Sequence, residues 1–488
     1  MSSTRIVPPA APALPTRSPL GRELVSVAKM AVPLATVQLG NHLMSAVDAA
    51  IAGRISDLAL AGTGMGASLF FVCTVIGIGA VLGLDPLASQ AFGVGRPDLA
   101  RRSLWQGVYA ALLVTVPLSL LVIAVAYSLE RFGVLPGTAI AARAYVLTRL
   151  PSLGLFLVSI ALRAYLQAAH VTRPILLATV AANVFNLVAG VLFGMGDAGL
   201  VRLGLPAIGA PALGVAGLGL AASAATAAQL GVLVLAVRAV RCSIPQGEPA
   251  PRRFDAALVR QVLRIGAPVG LMMVTEGGVF MLLQVLIGGM GVQASAAHQV
   301  ALTFASLSFS VCLGIGAASS VQVGRAIGRR DVRGTRHAGF AGMALAGGFM
   351  SLSGLVMTLT PDSLVALLSH DAAVAPLAVR LLRIAAAFQL VDGVQTVASG
   401  ALRGAGVTRW SFGANVIAHW VIGMPVGVAL AYGLGLGAAG LWWGLTAGLC
   451  VIAIALAVKF ALVTRRPVAL LDFAGSCAAG PPRLEAST

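Results

Sequence analysis

LMMVTEGGVFMLLQVLIGGMG, residues 271–291, has the character of the middle of a membrane-crossing helix, yet it holds a glutamate, Glu276. No base is at hand to neutralise it. Arg264 lies twelve residues back, about 18 Å along a helix axis. The next base beyond it is Arg325, outside the segment. An ionised carboxylate in hydrocarbon costs about 2.5–3.5 kcal/mol even on lenient insertion scales. A residue kept at that cost is read as functional, and the stretch around it as one span among several.

The whole chain fits that reading. It has 488 residues, of which 58% are hydrophobic and only 10% charged, against about 25% charged in a soluble domain. With a mean hydropathy of +0.94, a soluble fold is excluded. Apolar runs broken by charge, Gly or Pro predict twelve spans: 24–53, 58–84, 101–128, 138–168, 172–195, 212–238, 260–288, 296–320, 334–360, 372–403, 408–434 and 437–463. Residues 1–22 are Pro-rich with scattered Arg and read as a disordered cytoplasmic tail rather than a cleaved signal, because their small-residue stretch precedes the first apolar run. Residues 464–488 read as a second cytoplasmic tail. Five cysteines without paired spacing support neither a disulfide framework nor a zinc site.

The net charge of +17 is placed by topology. Arg96, Arg101 and Arg102 follow span 2, Arg173 follows span 4, and Arg238 to Arg264 surround the connection between spans 6 and 7. Arg325 to Arg336 follow span 8, and Arg403 and Arg409 bracket the turn after span 10. The opposite loops hold little beyond Arg54, Arg131 and Arg202. Excess base on alternate loops puts both termini in the cytoplasm, as expected of a multi-pass protein of the cytoplasmic (inner) membrane. Such loops attract anionic lipid, so the charge requires no nucleic-acid partner.

The chain also repeats itself. AVPLATVQLGNHLMSAVDAAIAG (31–53) aligns with GAPVGLMMVTEGGVFMLLQVLIGG (266–289), Pro33 on Pro268, which sets Asn41 opposite Glu276. GRPDLARR (95–102) parallels GRRDVRGT (328–335), and LQAAHVTR (166–173) parallels LRGAGVTR (402–409). These pairs share an offset of about 233–236 residues; GVAGLGL (214–220) and GAAGLWW (437–443) are a dozen closer, which locates an insertion in 194–214. Six spans per copy enter the membrane in the same direction. The copies are therefore parallel repeats about an axis along the membrane normal, with a binding site between them near mid-membrane. The expected organisation is an amino-terminal lobe at 23–240, a cytoplasmic linker at 241–255 and a carboxy-terminal lobe at 256–463.

VDAAIAG (47–53), GLDPLASQAFGVG (83–95), LRAYLQAAHVTRP (162–174), AAHQVA (296–301) and FQLVDGVQTVASGALRGAGVTR (388–409) resemble the multidrug and toxic compound extrusion (MATE) transporters, in their NorM-like bacterial branch. The resemblance runs from about residue 24 to 463. It implies an all-α integral membrane protein with twelve transmembrane helices in two six-helix lobes, V-shaped around a central cavity. It also implies export of small organic, often cationic, compounds in exchange for sodium or protons. Of the sixteen acidic residues, four lie inside or at the edge of apolar runs: Asp48, Asp85, Glu276 and Asp392. In the family pattern Glu276 and Asp392 match the cation-coupling carboxylates of the second lobe, Asp48 matches an acid of the first, and Asp371 resembles a third acidic position of the NorM-like branch.

Read as chemistry, Glu276 and Asp392 offer oxygen ligands to sodium, or equally take up protons. The bland alternatives are neutral, hydrogen-bonded carboxylic acids and, for Asp48, packing near Asn41. Asp85, before Pro86, is expected to cap a broken helix, and Arg403 to snorkel to the interface. Asn41, Asn183, Asn186, Phe280, Gln284 and Phe388 are the candidates for lining the cavity, although membrane aromatics are mostly packing. Span 5 has no carboxylate, which weakens a proton pair in the first lobe.

No phosphate-binding loop is present, so ATP is not expected to drive the process. Six histidines lack metal-ligand spacing. The chain is expected to be no enzyme, to need no cofactor beyond the coupling ion, and to work as a monomer. The rival readings are a lipid-linked oligosaccharide flippase of the same superfamily, which favours a basic cavity, and a membrane-embedded enzyme, which needs a clustered nucleophile or metal set.

Overall fold

The computed structural model describes residues 20–202, 204, 206–207, 209–243, 252–369 and 371–473. Residues 1–19, 244–251 and 474–488, which carry most of the expected tails and of the linker, lie outside them. Among the described residues there are helices and no strands. The amino-terminal repeat comprises α1 (Leu20–Ile55), α2 (Asp57–Leu82), α3 (Leu84–Gly93), α4 (Pro97–Ser128), α5 (Pro136–Arg149), α6 (Ser152–Ala168), α7 (Arg173–Ala189), α8 (Asp197–Arg202) and α9 (Gly214–Ser243). The second repeat comprises α10 (Ala256–Gly288), α11 (Val292–Gly328), α12 (Val332–Leu359), α13 (Pro361–Leu368), α14 (Ala375–Gly404), α15 (Thr408–Val416), α16 (Met424–Val428) and α17 (Ala438–Val463).

Among the described residues nine helices are long and apolar enough to cross a membrane, and α5 with α6, bent by 50° at Leu150–Pro151, makes a tenth. The remaining two spans are α1 and α14, 36 and 30 residues long. They are diluted by Gln38, Asn41, His42 and Asp48 in one and by Gln389, Asp392 and Gln395 in the other. The two least apolar spans thus carry acids. Side chains start several helices: Ser56 accepts from the Ala59 N–H, Asp255 from Ala257 and Leu258, and Asp331 from Gly334. Spans 5 and 11 end in π-helical turns, Gly190–Met195 and Ala429–Gly433, at matching places in the two repeats.

The repeats pack as symmetry mates. α1 lies against α11, and α10 against α2. Gly79 faces Gly270, where a Cβ would come within 2.1 Å of backbone; Gly314 faces Ala35, at 2.4 Å. Gly79 and Gly314 occupy equivalent repeat positions, as do Ala35 and Gly270. Gly93 and Gly328 each end their helix, α3 and α11, so the structure sets the repeat offset there at 235 and corrects the sequence alignment, which paired Gly95 with Gly328. The two face each other directly, and the pseudo-twofold axis passes between them. Hydrogen bonds obey the same rule. Gln90 Nε2 donates to the Gly404 carbonyl at 3.2 Å, and its counterpart Arg325 donates to the Ala168 carbonyl at 2.9 Å.

All these contacts lie towards the end that carries the basic loops. The deepest inter-lobe hydrogen bond among the described residues joins His42 and Ser310 at 2.7 Å. Beyond it the lobes diverge, a V closed at its basic end. Residues of the expected carboxy-terminal tail help to close it: the Leu471 N–H donates to Gln90 Oε1 at 2.9 Å and Phe473 is buried.

Asp85 and Arg403 correct the sequence expectation. Asp85 makes no capping hydrogen bond to α3. Its buried carboxylate forms an ion pair with Arg403 Nε at 3.3 Å, joining α3 of one lobe to α14 of the other. Their repeat counterparts, Ser320 and Gln167, carry no charge. Among the described residues this is the buried charged tie of the seam; a second ion pair, Arg102 with Asp255 at 2.6 Å, joins α4 to the start of α10 in a half-exposed position.

Candidate ion and substrate sites

In the carboxy-terminal lobe the polar residues of α14 fall on one face. Gln389, Asp392, Gln395 and Ser399 recur every three or four positions, the spacing of one helix stripe. Gln395 Nε2 donates to Glu276 Oε1 on α10 at 3.2 Å, and Ser399 reaches Met272 Sδ at 3.7 Å. Asp392 is 7% exposed and lies within Coulombic reach of Glu276. Gln395 keeps a buried Oε1 with no donor. Among the described residues neither carboxylate is in an ion pair. The site is therefore two carboxylates and an amide oxygen, all hard donors, with no resident positive charge. Such a set suits a small hard cation or a proton and offers nothing to a soft transition metal. No group of three or more His, Cys, Asp or Glu able to hold a metal is present among the described residues.

In the amino-terminal lobe Asp48 is 4% exposed and has partners. Asn186 Nδ2 on α7 donates to Asp48 Oδ1 at 2.6 Å, and the Tyr145 hydroxyl on α5 donates to Oδ2 at 3.4 Å. Arg149, one turn along α5, donates in turn to the Tyr145 hydroxyl. Its guanidinium lies over the Phe70 ring, 4.8 Å from the centroid. Tyr145 and Arg149 are not among the sequence candidates, which are acids, amides and phenylalanines. The signal was present: ARAYVLTRLPSLGLFLV (142–158) is an apolar run with an arginine in its middle.

The other candidates separate. Asn41 is exposed at the open end of α1 and donates to Gln38 Oε1 at 3.4 Å. Asn183 donates to the Thr179 carbonyl of its own helix at 2.9 Å, with its Oδ1 buried and free of donors. Gln284 donates to Ser295 Oγ at 3.3 Å, tying α10 to the start of α11. Asp371 is exposed ahead of α14, where its carboxylate accepts from the Ala373 N–H at 2.9 Å; it is not brought to Glu276 or Asp392. Phe388 is a correction. It is 3% exposed and packs against Trp442 with ring centroids 5.6 Å apart, a lobe-core residue rather than a cavity wall. Phe280 packs partly buried against the same core. Trp442 also donates to His298 Nδ1 at 3.1 Å, a structural bond within the same core.

Residues 33–192 and 268–429 match the MatE family model, one block in each lobe. The chain is 35% identical over 465 residues to the multidrug resistance protein NorM of Burkholderia vietnamiensis, covering 92% of this chain and 96% of that protein. It is 34% identical over 463 residues to the probable multidrug resistance protein NorM of Bradyrhizobium diazoefficiens, covering 92% and 95%. Among solved structures, the eukaryotic MATE transporter AtDTX14 superposes with a TM-score of 0.78 at 22% identity, covering 92% of this chain and all of that one. The Vibrio cholerae MATE transporter VcmN in its bent form gives 0.80 at 16% identity, with 91% and 98% covered.

Proposed function

Because the chain belongs to the MatE family of multidrug efflux transporters, we propose that it exports small organic compounds, often cationic, by antiport against sodium or protons. The observation that carries this reading is the pair Glu276 and Asp392: two carboxylates on separate helices of one lobe, with an amide hydrogen-bonded to the first and, among the described residues, no base paired with either. Two like charges in apolar surroundings bind one small cation more strongly than either binds it alone. Glu276, Asp392 and the Gln395 amide oxygen would hold a sodium ion, or the two acids a proton.

The basic end is cytoplasmic in this reading, both termini lie there, and the membrane is the cytoplasmic one. The V described above is then open to the outside, the state that admits the coupling ion. Ion uptake removes the repulsion between the acids, and the lobes rock about the Gly93–Gly328 axis to expose the cleft to the cytoplasm. Substrate entering from there favours loss of the ion, and by linkage the ion weakens substrate to the same degree. The lobes act as units at 23–240 and 256–463, joined by a linker at 241–255, and one chain suffices. Asp48, already held by Asn186 and Tyr145, is assigned to the framework of its lobe, and Asp371 to capping.

Efflux of a fluorescent dye from vesicles, under a sodium gradient alone and a proton gradient alone, tests the proposal. Wild type should respond to at least one of them. Efflux indifferent to both gradients would remove the antiport mechanism.

A further inference from the structure

The sequence reads the chain after residue 463 as a tail, yet residues 467–473 lie across the closed end of the V without helix or strand. Val468, Leu470 and Leu471 pack against the main hydrophobic core, and Phe473 is buried within it. Pro467, Ala469 and Asp472 are exposed. The segment is thus held along one side.

What it holds is a residue of the other lobe. Gln90 on α3 is fully buried, and the carboxy-terminal lobe grips its amide at both ends. Nε2 donates to the Gly404 carbonyl at 3.2 Å, and Oε1 accepts from the Leu471 N–H at 2.9 Å. The Leu471 side chain lies over Gly406, where a Cβ would come within 3.1 Å of it. Without the segment, Gln90 Oε1 would be a buried acceptor with no donor, and leaving such a group unmet costs more than the bond itself contributes. The symmetry of the fold does not call for this clasp. Arg325, the counterpart of Gln90, donates to the Ala168 carbonyl, but a guanidinium has no acceptor to offer a backbone N–H. His170, the counterpart of Gly406, is exposed. The clasp is an addition on one side of the seam.

We propose that residues 468–473 are a latch which holds the basic end of the V closed and must release Gln90 each time that end opens. This rests on the rocking of the lobes proposed above and adds a regulatory part to it. The hydrogen bond from Leu471 and the seating of Phe473 both favour the closed end. A neutral hydrogen bond of this kind shifts such an equilibrium by about two- to tenfold. The contacts are remote from Glu276 and Asp392 in the chain and belong to the seam, so the latch sets how often the end opens and leaves the ion site as it is.

The test uses the full chain, cleared of its own cysteines and carrying S89C, a fully buried position of the seam, as the reporter. L471P removes the N–H that Gln90 accepts from, and F473A loosens the end of the segment. Each should raise the rate of thiol labelling at S89C about two- to tenfold, at a temperature well below unfolding. A segment that only stabilised the fold would lower the melting temperature and leave that rate unchanged. In a second arm, Q90C/L471C in the cysteine-cleared chain is bridged by a short, reducible bifunctional thiol reagent. Gradient-driven dye efflux should stop on bridging and return on reduction. Unchanged labelling in both L471P and F473A overturns the proposal, as does full efflux in the bridged chain. Should L471P fail to fold, F473A and the bridged chain decide. Wild type that shows no gradient-driven efflux would sink the transport reading, and the labelling rates would still decide the latch.

Discussion

The amino-terminal lobe surrounds its buried acid with partners, and the carboxy-terminal lobe leaves its two acids nearly bare. Asp48 accepts from Asn186 and Tyr145 and has Arg149 behind the tyrosine. Glu276 accepts from one amide, and neither it nor Asp392 is in an ion pair among the described residues. The contrast is sharper because the lobes are repeats. Asn41 stands where the other lobe has Glu276, Phe156 where it has Asp392, Leu283 where the first lobe has Asp48, and Ala385 where it has Arg149. One backbone has been duplicated and its polar positions reassigned, so the fold is symmetric and the electrostatics are not. Among the described residues, buried carboxylates with no base close by are confined to one lobe.

The largest effect is expected where charge is unbalanced. E276Q keeps the shape and the hydrogen-bonding capacity but removes the charge. It should abolish the reciprocal effect of ion and substrate on each other's affinity, a coupling of about 5–150-fold in such systems. D392N should do the same, and the double variant little more. Gradient-driven dye efflux and sodium-dependent substrate binding read it out. Full coupling retained in E276Q would break the comparison outright.

Next comes the seam between the lobes. Removing one partner of the Asp85–Arg403 pair leaves the other charge buried, at a cost of about 3–5 kcal/mol to the closed basic end. A cysteine introduced as S89C, fully buried against Gly324, in a chain cleared of its other cysteines, should become labelled faster in D85N or R403Q. The double variant D85N/R403Q should recover much of the protection. The glycines of the seam predict a smaller and equal pair of effects. G79A and G314A each place a methyl group within 2.1 and 2.4 Å of backbone atoms, and such overpacking costs about 1–3 kcal/mol. Unequal loss of thermal stability in the two would mean that the packing symmetry is less complete than the contacts indicate.

Much of this was legible in the sequence, for physical reasons. Spans are long apolar runs, and hydropathy finds them without knowing their neighbours; all twelve predicted stretches are helical. The repeats were visible because Pro33 and Pro268, or the glycines at the seam, are constrained by backbone approach and resist reassignment. Glu276 and Asp392 stood out because charge is costly in lipid. What stayed hidden depends on distant partners or on side-chain direction. Asp85 looked like a cap until Arg403 was brought to it from the other lobe. Phe388 looked like a cavity wall because it stands one turn before Asp392, and the ring that covers it, Trp442, is brought from another helix. The bend at Pro151 was legible in principle; that it turns Arg149 inward was not.

The smallest effect is expected where charge is already balanced. D48N keeps a side chain of the same size in contact with Asn186 and Tyr145 but replaces a charged acceptor by a neutral one. A hydrogen bond to a charged group contributes about 1.5–3 kcal/mol, against about 0.5–1.5 for a neutral one, so thermal stability should fall by roughly 1 kcal/mol or slightly more. Because Asp48 is compensated within its own lobe, the ion dependence of efflux should persist in D48N, in contrast to E276Q. Loss of ion dependence in D48N would place a coupling charge in both lobes. The difference between them would then be one of degree, set by how tightly Asn186 and Tyr145 hold the acid, rather than a division of labour.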